Sequence, residues 1–454
     1  MANKTPPDGI YAWDLLWVGF LALYAFAGYA LVPFHGDESM QIFMSRDFAY
    51  HFLQDDAERL RYNPEAPLDL EQNLRLINGT VNKYTIGLAW WLDGFSVEHL
   101  NGPWYWEESY DDNVSFGTLP SMELLTTARL PSALFLTGSV VLMFFVAKLF
   151  AGRPVAYMAT LYYALNPAVL LNGRRAVMEG SLLLGVLAVL LAGIGFVRVR
   201  GWRVWLLAVL LGLASGFAVA SKHTSAFVLV SVFLGCGLHA FFRRTDARFV
   251  WERACALLVA GVLAVGVFVA LNPAWWSVPT QTAAFVLEER TALLRGQVAT
   301  NGGYDSAWEQ IGGFYRQVFG GRAMLYELVA FPDPLMNTVA DYNQSRFAGF
   351  APPGTGVVML SAFALGLLCL LGVLHLPDID PDARWVVSSY TVFMTLFVLF
   401  VTPLEWQRYY LPVLPAVGLV APLGIVWVVR LYVRNAAQES PTYRKGSARA
   451  SRQG

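Results

Sequence analysis

His35-Gly36-Asp37-Glu38 sets two adjacent carboxylates beside an imidazole at the end of an apolar stretch. A carboxylate so placed can take a proton from an attacking hydroxyl. Cations occupy the same kind of position. Arg129, Arg174, Arg175, Lys222 and Arg408 each stand at the edge of an apolar run. Fixed guanidinium and ammonium groups stabilise charge developing on a leaving phosphate, most strongly where water is excluded. The two sets together read as activation of a hydroxyl and departure of a phosphate or pyrophosphate. Asp37 is the expected base, with Glu38 pairing with a cation or binding the acceptor. His35, Glu179, His223, Trp275, Glu405 and Tyr409 are the expected auxiliary residues of the cavity. Plainer readings stand beside these. Asp37 and Glu38 would otherwise cap the first span or pair with Arg129, Arg174 and Arg175 would anchor an interface, and Glu179 would pair with an arginine. Trp275 and Trp276 fit an aromatic belt. No second histidine lies at ligand spacing from His35, so no metal centre is expected.

The elements that must carry these residues are membrane spans. Only 14% of the 454 residues are charged, against about 25% in a soluble domain. Hydrophobic residues reach 56%. A net charge of −1 gives no basic field for nucleic acid. Cys236, Cys255 and Cys369 lie within apolar runs and read as packing. Stretches long enough to cross a bilayer run approximately Tyr11–Pro33, Leu130–Leu149, Val155–Leu171, Val177–Val197, Val204–Ala220 and Ala226–Phe242. Four more follow at Ala254–Leu271, Val357–His375, Trp385–Thr402 and Tyr409–Val433. The expected architecture is an all-α polytopic bundle of about ten helices.

Sidedness follows from lysine and arginine in the short connections. Lys148, Arg153, Arg198, Arg200, Arg203, Arg243, Arg244, Arg248 and Arg253 fall on one side with the basic C-terminal tail. This predicts cytoplasmic N- and C-termini in a cell (plasma or inner) membrane. Two large loops, 34–129 and 272–353, then lie outside, with short interfacial helices expected at Met40–Gln54, Lys83–Phe95, Thr280–Arg295 and Trp308–Phe319. Gly302-Gly303, Gly320-Gly321 and Pro332-Asp333-Pro334 predict turns. Residues 1–433 read as one membrane domain and 434–454 as a disordered basic tail.

The order of the motifs resembles the GT-C glycosyltransferases that use polyprenyl-phosphate sugars, in particular the protein-O-mannosyltransferase and aminoarabinose-transferase-like group. Asp37-Glu38 is similar to that group's acidic pair, and Arg129-Leu130-Pro131-Ser132 to the start of its second span. Asn166-Pro167 with Arg174-Arg175 and Glu179 resembles its Arg-x-x-x-Asp/Glu join. Ser221-Lys222 is similar to a lysine after its fifth or sixth span. Asn272-Pro273-Ala274-Trp275-Trp276 and Arg408-Tyr409-Tyr410-Leu411-Pro412 resemble its Asn-Pro-x-Trp and Arg-Tyr-Tyr-x-x-Pro segments. Asn82–Gly87 stands where the group commonly has Pro-Pro or Tyr-Pro.

The resemblance implies an inverting transfer of a sugar from a polyprenyl phosphate to an acceptor hydroxyl on the extracytoplasmic face. The acceptor, whether protein, lipid or glycan, is left open. No cofactor is required by these residues, and a divalent ion bridging Asp37 and phosphate is left open. Two other classes compete. A carrier for a lipid-linked anionic solute predicts charges at the bilayer midplane and inverted repeats. A scaffold subunit predicts the fold without turnover.

Overall fold

The computed structural model describes residues 9–244, 246–327 and 333–439. Among them the regular secondary structure is helical, with no strand. Among the described residues, eight helices are long and apolar enough to cross a bilayer: Ala12–Leu31, Met122–Leu165, Glu179–Arg198, Arg203–Ser221, Ser225–Phe242, Ala247–Leu271, Ala383–Val401 and Gln407–Ala436.

The sequence leads to ten spans, and the difference has two local causes. The 44-residue helix Met122–Leu165 carries most of the expected second and third spans, bending at Ala151 and Gly152, where Gly152 takes φ 79°. That left-handed value is open to glycine at little cost. The Phe150 carbonyl at the bend accepts a hydrogen bond from the Asp380 N–H at 2.8 Å. The expected eighth span is the helix Thr355–Leu370, whose 16 residues fall short of the roughly 20 of a typical crossing.

The third span does not continue to Leu171. Asn166 leaves helical geometry, and its side-chain oxygen accepts from the Ala168 and Val169 N–H groups at 3.0 and 3.2 Å. Those bonds cap a separate helix, Pro167–Arg174, and Pro167, having no N–H to lose, suits its first position. At the far end of the chain the helix Leu414–Glu439 runs past Val433. Residues 440–454 of the expected tail lie outside the described residues.

Close helix contacts rest on small residues. Thr355–Leu370 and Leu414–Glu439 meet where neither Gly366 nor Gly424 leaves room for a Cβ against the facing carbonyl, as membrane helices pack without a hydrophobic drive between them. At the end of the bundle where the first helix begins, Asp14 is fully buried. It pairs with Lys148 and Arg153, each at 3.2 Å, and accepts from Tyr157.

The loops at the opposite end are helical and docked. The first holds Gly36–Met44, Leu70–Ile77 and Thr80–Leu92, and the second Pro279–Asn301, Ala307–Val318 and Asp333–Gln344. The expected helix from Met40 begins earlier, at Gly36, and its first stretch ends at Met44. Gly302 and Gly321 take φ 75° and 71° at the expected turns. Pro332 lies outside the described residues. Buried Asp47 fastens the first loop together, accepting from Arg75 Nε at 2.9 Å and Lys83 Nζ at 2.7 Å. Gly79 seats this loop on the bundle, because a Cβ there would strike the Ser221 and Ala220 carbonyls.

Candidate active site

The helix Gly36–Met44 is started by a reciprocal cap. The Asp37 N–H donates to His35 Nδ1 at 3.1 Å, and the His35 N–H donates to Glu38 Oε2 at 3.1 Å. Two orphan donors of the first turn are thereby satisfied, and carboxylates at this end suit the helix dipole. The cap also separates the two acids. Glu38 is turned inward and has no exposure, whereas the Asp37 side chain keeps 26%.

Glu38 is consumed by structure. Its two oxygens accept from Arg129 Nε at 2.7 Å and Nη2 at 2.8 Å, and from the Ala176 N–H at 2.8 Å. Burial works to raise the Glu38 pKa, but Arg129, then Arg175 and the Ala176 amide, outweigh it and hold the carboxyl below its ordinary value. Arg129 has almost no exposure, so the pair is a sealed clamp between the first loop and the helix Met122–Leu165.

Asp37 meets Arg408. The guanidinium Nη1 lies against Asp37 Oδ2, with both side chains partly open to solvent. Arg408 sits in the short turn Gln407–Tyr409, its guanidinium carbon 5.1 Å from the Trp406 ring centroid. A third acid, Glu327 of the second loop, comes within 3.3 Å of Arg408 Nε and 2.8 Å of His35 Nε2. Arg408 Nε nevertheless has no hydrogen-bond partner among the described residues. Glu327 therefore contacts it as a charge, off the N–H axis.

These contacts fix the state of His35. Its Nδ1 accepts from a backbone amide and so carries no proton, leaving Nε2–H to donate to Glu327. Burial pushes the ring's pKa down, against the pull of Glu327, and the ring is neutral near pH 7. Burial also works to raise the Glu327 pKa, but the His35 bond and nearby Arg175 prevail and keep it below its ordinary value.

The remaining expected cations are committed elsewhere. Arg174 donates to the carbonyls of Ala25 at 2.7 Å, Tyr24 at 2.8 Å and Phe347. Arg175 donates to those of Pro33 at 3.3 Å and Leu325 at 2.7 Å. Both fasten the exit of the first span to the second loop. Lys222 is bonded to Glu179 at 2.6 Å, nearly buried, at the join of two spans. Beside it His223 packs against Phe268 and Trp275, and neither of its ring nitrogens has a partner among the described residues. Burial there lowers its pKa to about 3. Glu405 is held by Arg316 Nε at 2.8 Å, and the Tyr409 hydroxyl donates to Gln297 at 2.9 Å.

The structure thus brings Asp37, His35 and Arg408 together, with Glu38, Arg129 and Arg175 behind them. Lys222, Glu179, His223 and Trp275 form a second group around the neighbouring turn. Glu327 carried no sequence signal, being a lone acid in a long loop. Among the described residues no group of three His, Cys, Asp or Glu is placed to hold a metal ion. An apolar cavity of about 410 Å³ lies between Met122–Leu165, Thr355–Leu370 and Leu414–Glu439, lined by Leu161, Tyr162, Phe350, Met359 and Ile425.

The helical bundle with two helical loops at one end is similar in fold to solved structures of ArnT and of an archaeal oligosaccharyltransferase. Residues 77–286, a little under half of the chain, match the family model for dolichyl-phosphate-mannose-protein mannosyltransferase. Among solved structures, the chain is similar to ArnT from Cupriavidus metallidurans bound to undecaprenyl phosphate. The TM-score is 0.51 at 13% identity, over 94% of this chain and 64% of that one. The apo state of the same protein gives a TM-score of 0.52 at 14% identity, over 91% and 59%. The apo oligosaccharyltransferase of Archaeoglobus fulgidus gives 0.52 at 13% identity, over 94% and 52%. The chain therefore spans between about half and just under two thirds of these structures' lengths. No curated protein matches it by sequence.

Proposed function

We propose that the chain is an inverting glycosyltransferase that moves a sugar from a polyprenyl-phosphate donor to an acceptor hydroxyl on the extracytoplasmic face. The observation that carries this is the Asp37–Arg408 contact. A solvent-reachable carboxylate is opposed by a guanidinium at the loop end of a GT-C bundle. The family match over residues 77–286 supports the same class.

In the reaction Asp37 takes the proton of the acceptor hydroxyl, whose oxygen attacks the anomeric carbon from the face opposite the phosphate. The bond from that carbon to the phosphate oxygen breaks with inversion. The electron pair leaves on the phosphate, whose charge faces Arg408. The five cations expected to bind phosphate divide on this reading. Arg408 acts on the donor, and Arg129, Arg174, Arg175 and Lys222 hold the frame around it. Glu38 is structural, its oxygens already taken.

The apolar cavity beside Tyr162 and Met359 suits part of a long hydrocarbon tail, in keeping with a relative bound to undecaprenyl phosphate. Lysine and arginine in the short connections support cytoplasmic termini and an active site on the other side. Residues 1–433 then form the catalytic membrane unit, with 434–454 as a basic cytoplasmic extension.

The test is transfer by the purified chain in proteoliposomes supplied with radiolabelled polyprenyl-phosphate sugars and an envelope extract as acceptor. Label is expected to leave the lipid for the extract, and Asp37→Asn to stop it. Failure to consume any donor would overturn the reading.

A further inference from the structure

The charges around Asp37 balance. Asp37, Glu38 and Glu327 contribute the carboxylates, and Arg129, Arg175 and Arg408 the guanidiniums that face them. The neutral His35 adds none. An incoming phosphate would give this region one negative charge too many, and a buried unpaired charge is strongly disfavoured. One carboxylate must therefore give way when an anion binds.

The three acids differ in how firmly they are held. Glu38 has both oxygens bonded to a buried guanidinium and an amide. Asp37 stands in the first turn of a capped helix. Glu327 lies on a segment with no regular structure, 321–327, and faces Arg408 Nε off the N–H axis. It occupies the space between a guanidinium N–H that has no acceptor among the described residues and an imidazole N–H. Those two donors are what a phosphate oxygen would need.

We propose that the Glu327 carboxylate is a placeholder for a phosphoryl anion, and that the phosphate subsite consists of Arg408 Nε–H and His35 Nε2–H. This rests on the glycosyltransferase reading and assigns the place of its donor's phosphate. On binding, the phosphate takes both donors and Glu327 turns away, so removing the carboxylate removes a competitor. Glu327→Gln keeps the shape and loses the charge, and Glu327→Ala loses both.

The test is binding of short-chain polyprenyl phosphate to the full chain in detergent by calorimetry, with the uncharged polyprenol and inorganic phosphate as separate arms. Both Glu327 variants are expected to bind the lipid phosphate about tenfold more tightly than the unaltered chain. Polyprenol binding should not change, and Arg408→Gln should weaken the lipid phosphate. Equal tightening towards inorganic phosphate supports the subsite with a soluble anion as its source. Tightening for the lipid phosphate alone supports a lipid source. If the unaltered chain binds the lipid phosphate and neither variant binds it more tightly, this inference falls while the transferase reading stands. If no form binds it, both fall. Melting curves identify a variant that has not folded, and the other variant then decides.

Discussion

Arg129 closes on Glu38 with two guanidinium nitrogens, at 2.7 and 2.8 Å, across 91 positions of sequence and with almost no exposure of either side chain. The acid next to Asp37 is thus held in a buried pair, and the two halves of one dipeptide sit in different surroundings. Stability and turnover should therefore separate cleanly between them.

Asp37→Asn should lower sugar transfer by about a hundredfold or more, the scale of a lost general base. Its melting temperature should stay near that of the unaltered chain, because the Asp37–Arg408 contact is partly open to solvent. Initial rates with saturating donor, read beside a thermal melt, check both halves. A variant that keeps its rate removes Asp37 from the reaction.

Glu38→Gln should do the reverse at first order, destabilising the fold by about 3–5 kcal/mol by leaving a buried guanidinium without its counter-charge. Arg129→Met should cost a similar amount, and the double variant much less than the two together. A double-mutant cycle on unfolding in detergent measures this. Additive losses would mean that the two groups do not interact.

What the sequence made legible follows its physical signals. Apolar run lengths located the spans, and the polar interval between Leu149 and Val155 marked the bend that the structure puts at Gly152. The Asn-Pro pair at Asn166 and Pro167 disfavours an unbroken helix, but it does not show that the asparagine side chain starts a new one there. Within the site, residue type and sidedness pointed to Asp37 and Arg408, whereas the division among the arginines was illegible. Arg174 and Arg175 end on backbone carbonyls, and a carbonyl acceptor has no letter in the sequence. Glu327 was missed because its partners lie outside its own loop, and Asp47 because Arg75 and Lys83 stand 28 and 36 positions away; nothing local distinguishes either from a surface acid.

The pH dependence of stability has a definite sign. Burial holds His35 below its ordinary pKa and His223 at about 3, so the unfolded chain binds more protons than the folded one. Their contribution is fully present above the unfolded histidine value of about 6.5 and is lost as pH falls through the folded values. Glu38 and Glu327, also lowered, act in the same direction at more acid pH. The melting temperature should therefore fall from pH 7 to 5, and His223→Phe should flatten that fall. A melt that rises towards pH 5 would contradict these assignments.

Gly79→Ala should prevent stable expression, since the added methyl would meet the Ser221 and Ala220 carbonyls. Gly237→Ala, where nothing lies within 4 Å of the new Cβ, is the matched control within a span. Size-exclusion profiles of the two variants make the comparison.

The orientation of His35 also bears on where protons travel. With Nδ1 occupied by an amide and Nε2–H pointed at an oxygen acceptor, the imidazole is a strut and not a wire. In the proposed reaction, a proton taken up by Asp37 has no ring to hop through and leaves by way of bulk water or on the released product. Turnover should accordingly show a linear proton inventory in mixed light and heavy water, the signature of one proton in flight.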